Sequence, residues 1–354
     1  MREALAQAWP GPSAPRPIVV IGAGGIVADA HLPAYRLAGL PVAGLFDIDG
    51  ERAAATAARF GLSVFPSLEA ALAVDSAVFD LALPPAAHLG VIERLPAGSP
   101  VLIQKPLGRD LAEASAILAA ARRRGLLAAV NFQLRFAPMM LALADWVAQG
   151  RLGEIVEAEM HVNVLTPWHL WPFLQGLERM EIALHSIHYL DLMRRLLGDP
   201  AGVHAKTIGH PASTLAQTRT SAILDYGERL RCVLSVNHHH DFGRKFQDSS
   251  LRLEGTRGCA VARLGVNLDY PRGEPDELWL CETGGEWESV PLRGTWFPHA
   301  FIGPMSNLQR FAAGEDETLV TAVADAWKTM ALVEACFTSS SAPATPIAPL
   351  PEAR

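Results

Sequence analysis

Residues 17–25 read PIVVIGAGG, a wholly apolar run delivered without a break into a cluster of glycines. A run that is apolar at every position, not at alternate ones, suits a strand covered on both faces. The glycines behind it permit a tight turn, and a helical pattern follows from about Gly25 to Ala38. The same alternation then repeats. PVAGLFD, FDLALPP, VLIQKP and LLAAVNF read as strands, with Ser63-Val64-Phe65 as a short edge strand. Helices are expected from Asp49 to Phe60, over 68–73 behind a Ser67 cap, from near Ala87, and from an Asp110 cap to Arg124. Continuous apolar strands alternating with helices predict a parallel sheet covered on both faces over residues 17–136.

Near residue 137 the rhythm changes. A helix from Pro138 to Gln149 leads into EIVEAEMHVNV, whose apolar residues alternate as in a strand with one face exposed. A helix around 178–197 follows, then VHAKTIGH, TSAILDY, LRCVLSVNHH, SSLRLEGT, CAVARL and ELWLCE. Residues 137–338 therefore predict a second domain built on an open, mostly antiparallel sheet with one face against helices. Its last segment, Met305 to Phe337, reads as helical with a break at Gly314, and is expected to pack back onto the first domain. Residues 1–16 and 339–354, rich in Pro, Ala, Gly and Ser, are expected to be loose ends.

At 354 residues the chain exceeds one ordinary core and fits two domains sharing a cleft. A formal charge of −7 and the lack of any basic stretch longer than Arg122-Arg123-Arg124 argue against nucleic acid as a partner. Cys232, Cys259, Cys281 and Cys336 are scattered with no C-x-x-C pair, which implies neither a zinc ribbon nor a disulfide framework. The first residues lack the apolar core of a signal peptide, and no apolar run reaches the roughly eighteen residues of a membrane span. A cytoplasmic protein is expected, with no membrane partner.

Gly22 and Gly24 follow a strand and open a helix, and Gly25, Ile26 and Val27 continue into its first turn. Glycines there allow close approach of a pyrophosphate, which the free N–H groups of a helix N-terminus stabilise. Val27 stands where a third glycine is usual. Asp47 ends the second strand, twenty residues after Val27, where a carboxylate accepts hydrogen bonds from ribose hydroxyls. It also repels a 2′-phosphate, which favours NAD, while nearby Arg52 keeps NADP possible. Gln104-Lys105-Pro106 closes a strand of the same sheet, where a lysine can donate to a substrate oxygen and steady negative charge. Pro84 and Pro85, followed by His88, end the preceding strand in a stiff loop expected to line the cleft.

Glu181, His185 and His188 are spaced by four and three residues, which places them on one face of a regular helix, with Asp191 continuing the stripe. A histidine can take a proton from a hydroxyl as hydride leaves the same carbon. A divalent metal held by Glu181 and the two histidines is the less favoured reading, since spacing fixes no further ligand; no metal is expected. Polar packing between helices is the third reading. His238-His239-His240 lies in a strand pattern that sends His238 and His240 to one face and His239 to the other. Trp168 and Trp171, in TPWHLWPF, are expected either to wall a sugar-sized pocket or to form an oligomer contact.

In this order and spacing, IGAGGIVADAHLPAY, the Asp47 strand end, LPPAAH, IQKPLGRDLAEA, NFQLRFAPM and HSIHYLDLMRRLLG resemble the glucose–fructose oxidoreductase, inositol dehydrogenase and MocA family. The similarity spans residues 17–338. It implies an α/β N-terminal Rossmann domain followed by an α+β domain with a large, mostly antiparallel open sheet, assembled as homodimers or homotetramers through that sheet. It implies NAD(P)-dependent oxidation or reduction of a sugar, cyclitol or related polyol. By motif, Lys105 looks like the family's lysine of E-K-P, with Gln104 in place of glutamate, and His188 like its catalytic histidine. Pro84, Pro85, His88, Gln104, Lys105 and Asn131 join the expected cofactor contacts. Arg135, Trp168, Trp171, Glu181 and His185 join Lys105 and His188 as expected substrate contacts. Many members carry an aspartate four residues before His188, where this chain has Leu184; His185, or else Glu181, is expected to stand in for it.

The leading expectation is hydride transfer between a carbinol carbon and nicotinamide, with His188 as proton acceptor, His185 assisting and Lys105 orienting the oxygen. Two readings stand beside it. Tightly held NAD could serve a transient oxidation that enables elimination or glycoside cleavage, or the chain could be a non-catalytic redox sensor.

Overall fold

The computed structural model describes residues 5–171 and 174–348. Residues 1–4 and 349–354 of the two expected loose ends, and Pro172 and Phe173 of the tryptophan loop, lie outside the described residues.

Five apolar runs become β1 (Ile18–Ile21), β2 (Val42–Phe46), β3 (Val78–Leu81), β4 (Pro100–Ile103) and β5 (Leu127–Val130), a parallel sheet in the order β2-β1-β3-β4-β5. Ile18 pairs with Val42 on one side and Val78 on the other, so the strand order switches direction at β1. At such a switch point the strand ends leave a crevice. β1, β3 and β4 are buried at every residue because α1 (Leu32–Leu37), α2 (Gly50–Phe60), α3 (Leu68–Leu72), α4 (His88–Ile92) and α5 (Leu111–Arg123) cover the sheet. Asp49, Ser67 and Asp110 cap α2, α3 and α5 by accepting the N–H of Arg52, Ala70 and Glu113, about 1 kcal/mol each. The expected edge strand at 63–65 reduces to a single bridge between Val64 and Leu45.

After α6 (Pro138–Ala148) the second sheet is built from β6 (Ile155–Asn163), β7 (Gly202–Ile208), β8 (Arg219–Asp225), β9 (Arg231–Asn237), β10 (Asp248–Gly255), β11 (Gly258–Arg263), β12 (Glu277–Glu282) and β13 (Glu288–Ser289). Their order is β13-β12-β11-β10-β6-β9-β8-β7, antiparallel throughout except where β6 runs parallel to β9. On β6, Ala158, Met160 and Val162 are buried and alternate with Glu157, Glu159 and His161, as the sequence pattern requires. The expected helix at 178–197 is α7 (Ile187–Leu197) preceded by a π turn at Ile182–Ser186.

α8 (Ile302–Ala312) and α9 (Val323–Ser341) flank a turn in which Gly314 takes a left-handed conformation, and they return to the first sheet. Val130 N–H donates to Thr321 O at 2.8 Å. The end of α9 covers edge strand β7, because Ser339 and Ser340 hydroxyls accept the N–H groups of Ala205 (2.8 Å) and Thr207 (3.0 Å). Residues 339–341 are therefore packed helix, not a loose end.

The N-terminal expectation also needs correction. Residues 5–17 form a strap across both domains: Trp9 Nε1 donates to Asp316 at 2.8 Å and its ring meets Phe136 at 5.3 Å. Ala6 N–H donates to Asp145 at 2.9 Å and Arg16 N–H to Gln309 at 2.8 Å. Apolar composition at those positions was too sparse to signal docking, but a tryptophan and a few backbone donors suffice once a surface is present.

Candidate functional site

Gly22 sits at φ +108°, and its N–H donates to Phe46 O at 2.7 Å. A Cβ there would collide with the carbonyl oxygen of Ala82, so the turn requires glycine. Gly24 and Gly25 differ: a Cβ on Gly24 meets nothing within 4 Å, and one on Gly25 meets only the Asp29 carboxylate at 3.9 Å. The space beside them is open, and the first-turn amides of Gly25 and Ile26 have no carbonyl one turn back to bond. Val27 is fully buried beside Ile18, Val20 and Leu45, supplying the packing that a third glycine would otherwise allow. Asp47 accepts Ala23 N–H at 2.7 Å and Asp49 N–H at 2.9 Å, and Arg52 pairs with it at 2.8 Å. Burial alone would raise its pKa, but Arg52 and the two amides hold the carboxyl below its usual range.

Beneath the strand ends lies a buried network that sequence reasoning missed. His31 Nδ1 is 2.7 Å from Asp80 Oδ2, which also accepts the Tyr35 hydroxyl at 2.7 Å. The side-chain amides of Gln104 and Asn131 each reach His31 Nε2 at 3.3 Å, and Gln104 Oε1 accepts Lys105 N–H at 2.9 Å. The signal was Asp80, a charge inside the otherwise apolar strand VFDL, which needs a partner when buried. Asn131 Oδ1 is a buried acceptor with no protein partner. Open space at Gly24, bare helix-start amides, the Asp47 carboxylate and this orphaned acceptor together fit a bound dinucleotide.

Pro84 leads from β3 into a short 3-10 turn that begins at Pro85. His88, expected as a cofactor contact, is corrected by its placement: its ring is wholly buried, 3.1 Å from Leu83 O, and burial lowers it to about 4. It braces the proline loop from behind and offers no surface to a ligand.

Lys105 reaches the opposite domain, where Nζ donates to Leu184 O at 2.7 Å. Burial lowers the ammonium to about 8. The π turn at Ile182–Ser186 breaks the regular spacing assumed for Glu181, His185 and His188. His185 is half-buried beneath Trp168, ring centroids 4.9 Å apart, and beside His238 at 4.6 Å. His188 lies between Phe132 (6.5 Å) and Trp296 (6.2 Å), and its Nδ1 has no protein partner. Burial, then the nearby positive groups, hold both histidines well below the ordinary imidazole range: His238, Lys105 and His188 for His185, and Lys105 for His188. Neutral imidazoles are thus the resting state.

Glu181 and Arg135 are two further corrections to the expected substrate contacts. Glu181 is fully buried, accepting the hydroxyls of Ser186 (2.7 Å) and Thr220, with Oε1 3.3 Å from His238 Nε2. Arg135 forks onto Asp191 at 2.6 and 2.5 Å and also bonds Asp325 at 2.7 Å, which commits its donors within the protein. Neither long-range pairing is encoded in spacing along the chain. Trp168 also faces His238 at 5.5 Å, while Trp171 packs on Tyr270 at 5.0 Å. In the histidine run, His238 points inward to Thr166, 2.8 Å away, and His239 stacks on His210 at 4.0 Å. Among the described residues, no group of three or more His, Cys, Asp or Glu side chains gathers as a metal site.

Residues 16–132 match the model of the GFO/IDH/MocA oxidoreductase family with an NAD-binding Rossmann fold, and residues 140–261 match the GFO/IDH/MocA C-terminal domain. The chain is 28% identical over 254 residues to 1,5-anhydro-D-fructose reductase of Ensifer adhaerens, covering 69% of this chain and 74% of that one. It is 25% identical over 323 residues to D-apiose dehydrogenase of Paraburkholderia graminis, covering 88% and 84%. An oxidoreductase from Agrobacterium radiobacter, solved in complex with NAD+, L-tartaric acid and magnesium, shares the fold at a TM-score of 0.79 and 20% identity, over 93% of this chain and 97% of that one. With both domain models matched in order on the fold described above, the chain belongs to the GFO/IDH/MocA family of NAD-binding oxidoreductases.

Proposed function

We propose that this protein transfers a hydride between a carbinol carbon of a sugar, cyclitol or related polyol and NAD, with Lys105 and His188 handling the oxygen and its proton. The observation that carries the reading is the 2.7 Å bond from Lys105 Nζ to Leu184 O, which sets an ammonium from the cofactor domain against the histidine helix of the other. NAD, when bound, supplies the hydride acceptor or donor. Gly24, Gly25 and Ile26 would cradle its pyrophosphate, Asp47 its ribose, and Asn131 an amide donor near the reacting end. The buried, neutral imidazole of His188 accepts the hydroxyl proton, and Lys105 donates to the oxygen and steadies its charge. His185 assists from the same side, and Trp168 offers an apolar ring face of the kind that C–H faces of sugars stack on.

Two sugar-acting relatives, named for 1,5-anhydro-D-fructose and D-apiose, support a carbohydrate substrate class. The Asp47 carboxylate favours NAD over NADP. No helix among the described residues is long and apolar enough to cross a membrane, in keeping with a proposed cytoplasmic location. The outer face of the second sheet exposes Ile223 and Trp279, which supports assembly as a homodimer or homotetramer through it.

Titration of NADH and NADPH binding, followed by a sugar and polyol screen at the nicotinamide absorbance band, tests the reading. Binding of NADH and turnover lost in Lys105→Ala and His188→Ala are expected. No binding of either nucleotide, or unchanged turnover in Lys105→Ala, would overturn it.

A further inference from the structure

Leu184 leaves the site without an acid one turn before His188, yet a carboxylate reaches the histidines by another route. Glu181, fully buried, takes hydroxyl bonds from Ser186 and Thr220 and lies 3.3 Å from His238 Nε2. On its other ring nitrogen, His238 Nδ1 lies 2.8 Å from the Thr166 hydroxyl. The Thr166 hydroxyl engages Nδ1, which turns Nε2 toward the Glu181 carboxylate 3.3 Å away without completing a hydrogen bond to it, and this sets the rotation of the His238 ring. Its edge packs on His185, centroids 4.6 Å apart and planes at 63°, and Trp168 closes the third side against both rings. A carboxylate in this position is costly to bury, and an apolar side chain of similar size would fill the same space at less cost.

We propose that Glu181 and His238 are positioning residues that replace the acid missing at Leu184. This rests on the hydride-transfer reading. His238 fixes His185 from behind, and Glu181 supplies the buried negative charge that stabilises a proton arriving on the His185–His188 pair. The groups facing His185 are Lys105 from the end of β4, His188 from α7 and His238 after β9. Glu181 lies behind His238, with Tyr189 and Cys336 close to it. Among these groups it is the only carboxylate.

The test is steady-state kinetics of Glu181→Gln and His238→Asn on a substrate that the wild-type enzyme oxidises, with NADH binding and the pH–rate profile measured alongside. Glutamine keeps the shape and can still accept the Ser186 and Thr220 hydroxyls. The expected result is kcat down about tenfold or more in both, with KM and NADH affinity within about threefold. The acid limb of the Glu181→Gln profile moves to lower pH by about half a unit or more, because a lost negative charge makes the histidines harder to protonate. Glu181→Asp recovers part of the loss. Folded variants with wild-type kcat and an unmoved acid limb would overturn the inference, as would a lowered melting temperature as their sole effect. A wild-type enzyme that turns over no carbinol would instead bring down the hydride-transfer reading itself.

Discussion

The ammonium of Lys105 lies 2.7 Å from the carbonyl oxygen of Leu184, joining the end of β4 to the π turn before α7. One hydrogen bond thus spans the cleft between the two sheets, and it ends on the backbone of the residue whose side chain departs from the family pattern. A backbone carbonyl orients the lysine without neutralising it, which leaves its charge available to a substrate oxygen.

That arrangement makes Lys105 pH-sensitive in two separable ways. Its ammonium is lowered from 10.5 to about 8 by burial, so the charged form is disfavoured in the folded state. Turnover should fall as pH rises past about 8, where the ammonium is lost. For stability the sign is opposite. Between pH 8 and 10.5 the unfolded chain binds the proton that the folded chain has released, so wild-type stability rises with pH across that window. Lys105→Met should therefore be more stable than wild type below pH 8, by about 1–3 kcal/mol, with the gain shrinking toward pH 10.5. Urea melts at pH 7 and pH 10 check this; a Lys105→Met variant less stable at pH 7 contradicts it.

Gly22 and Gly24 should respond differently to the same added methyl group. Gly22→Ala meets the Ala82 carbonyl in a left-handed backbone and should cost about 2 kcal/mol or more of stability. Gly24→Ala meets no protein atom within 4 Å, so it should melt within about 0.5–1 kcal/mol of wild type. It should nevertheless weaken NADH binding about tenfold or more, because the methyl group fills the space left for a pyrophosphate. Equal loss of stability in the two variants would refute this assignment of the open space.

Cofactor choice should turn on the Asp47–Arg52 pair. Asp47→Ser frees the guanidinium now held at 2.8 Å and removes the charge that repels a 2′-phosphate. The ratio of NADPH to NADH affinity should rise about tenfold or more, read by fluorescence titration of each nucleotide. An unchanged ratio would show that neither residue faces the adenosine ribose.

Arg135 and Asp191 should matter for stability first. Both are buried, and Asp191 also accepts the Thr329 hydroxyl at 2.9 Å. Arg135→Met strands a buried carboxylate, which should cost about 3–5 kcal/mol in chemical denaturation. Replacing both partners by apolar residues should recover most of that loss, since no charge is then left unpaired. A double variant as unstable as the single one would point to packing, not charge, as the source.

Much of the first domain was legible in the chain because its information is local. An unbroken apolar run, a glycine turn and a capped helix each occupy adjacent residues, so Ile18–Ile21, Gly22 and the Asp49, Ser67 and Asp110 caps declare themselves. The cradle at Gly24 and the acid at Asp47 follow from the same local grammar. Glu181 was harder to place because a regular helix was assumed. A π turn of five residues, which hydrophobic spacing does not mark, lies between it and α7. His31 and Asp80 were missed because a buried polar pair separated by 49 residues leaves only a lone charge in a strand as its trace.

The sequence by itself determined the order of elements, the parallel first sheet, the nucleotide loop and the residue types that reach the cleft, since each depends on periodicity and neighbouring residues. Only the tertiary structure decided which polar side chains face a ligand and which face one another. Lys105 stays in the cleft, Glu181 turns to His238, Arg135 turns to Asp191 and His88 turns inward. The reason is physical: a buried charge or imidazole is stable only with its partners, and those partners come from distant strands and helices that the fold brings together.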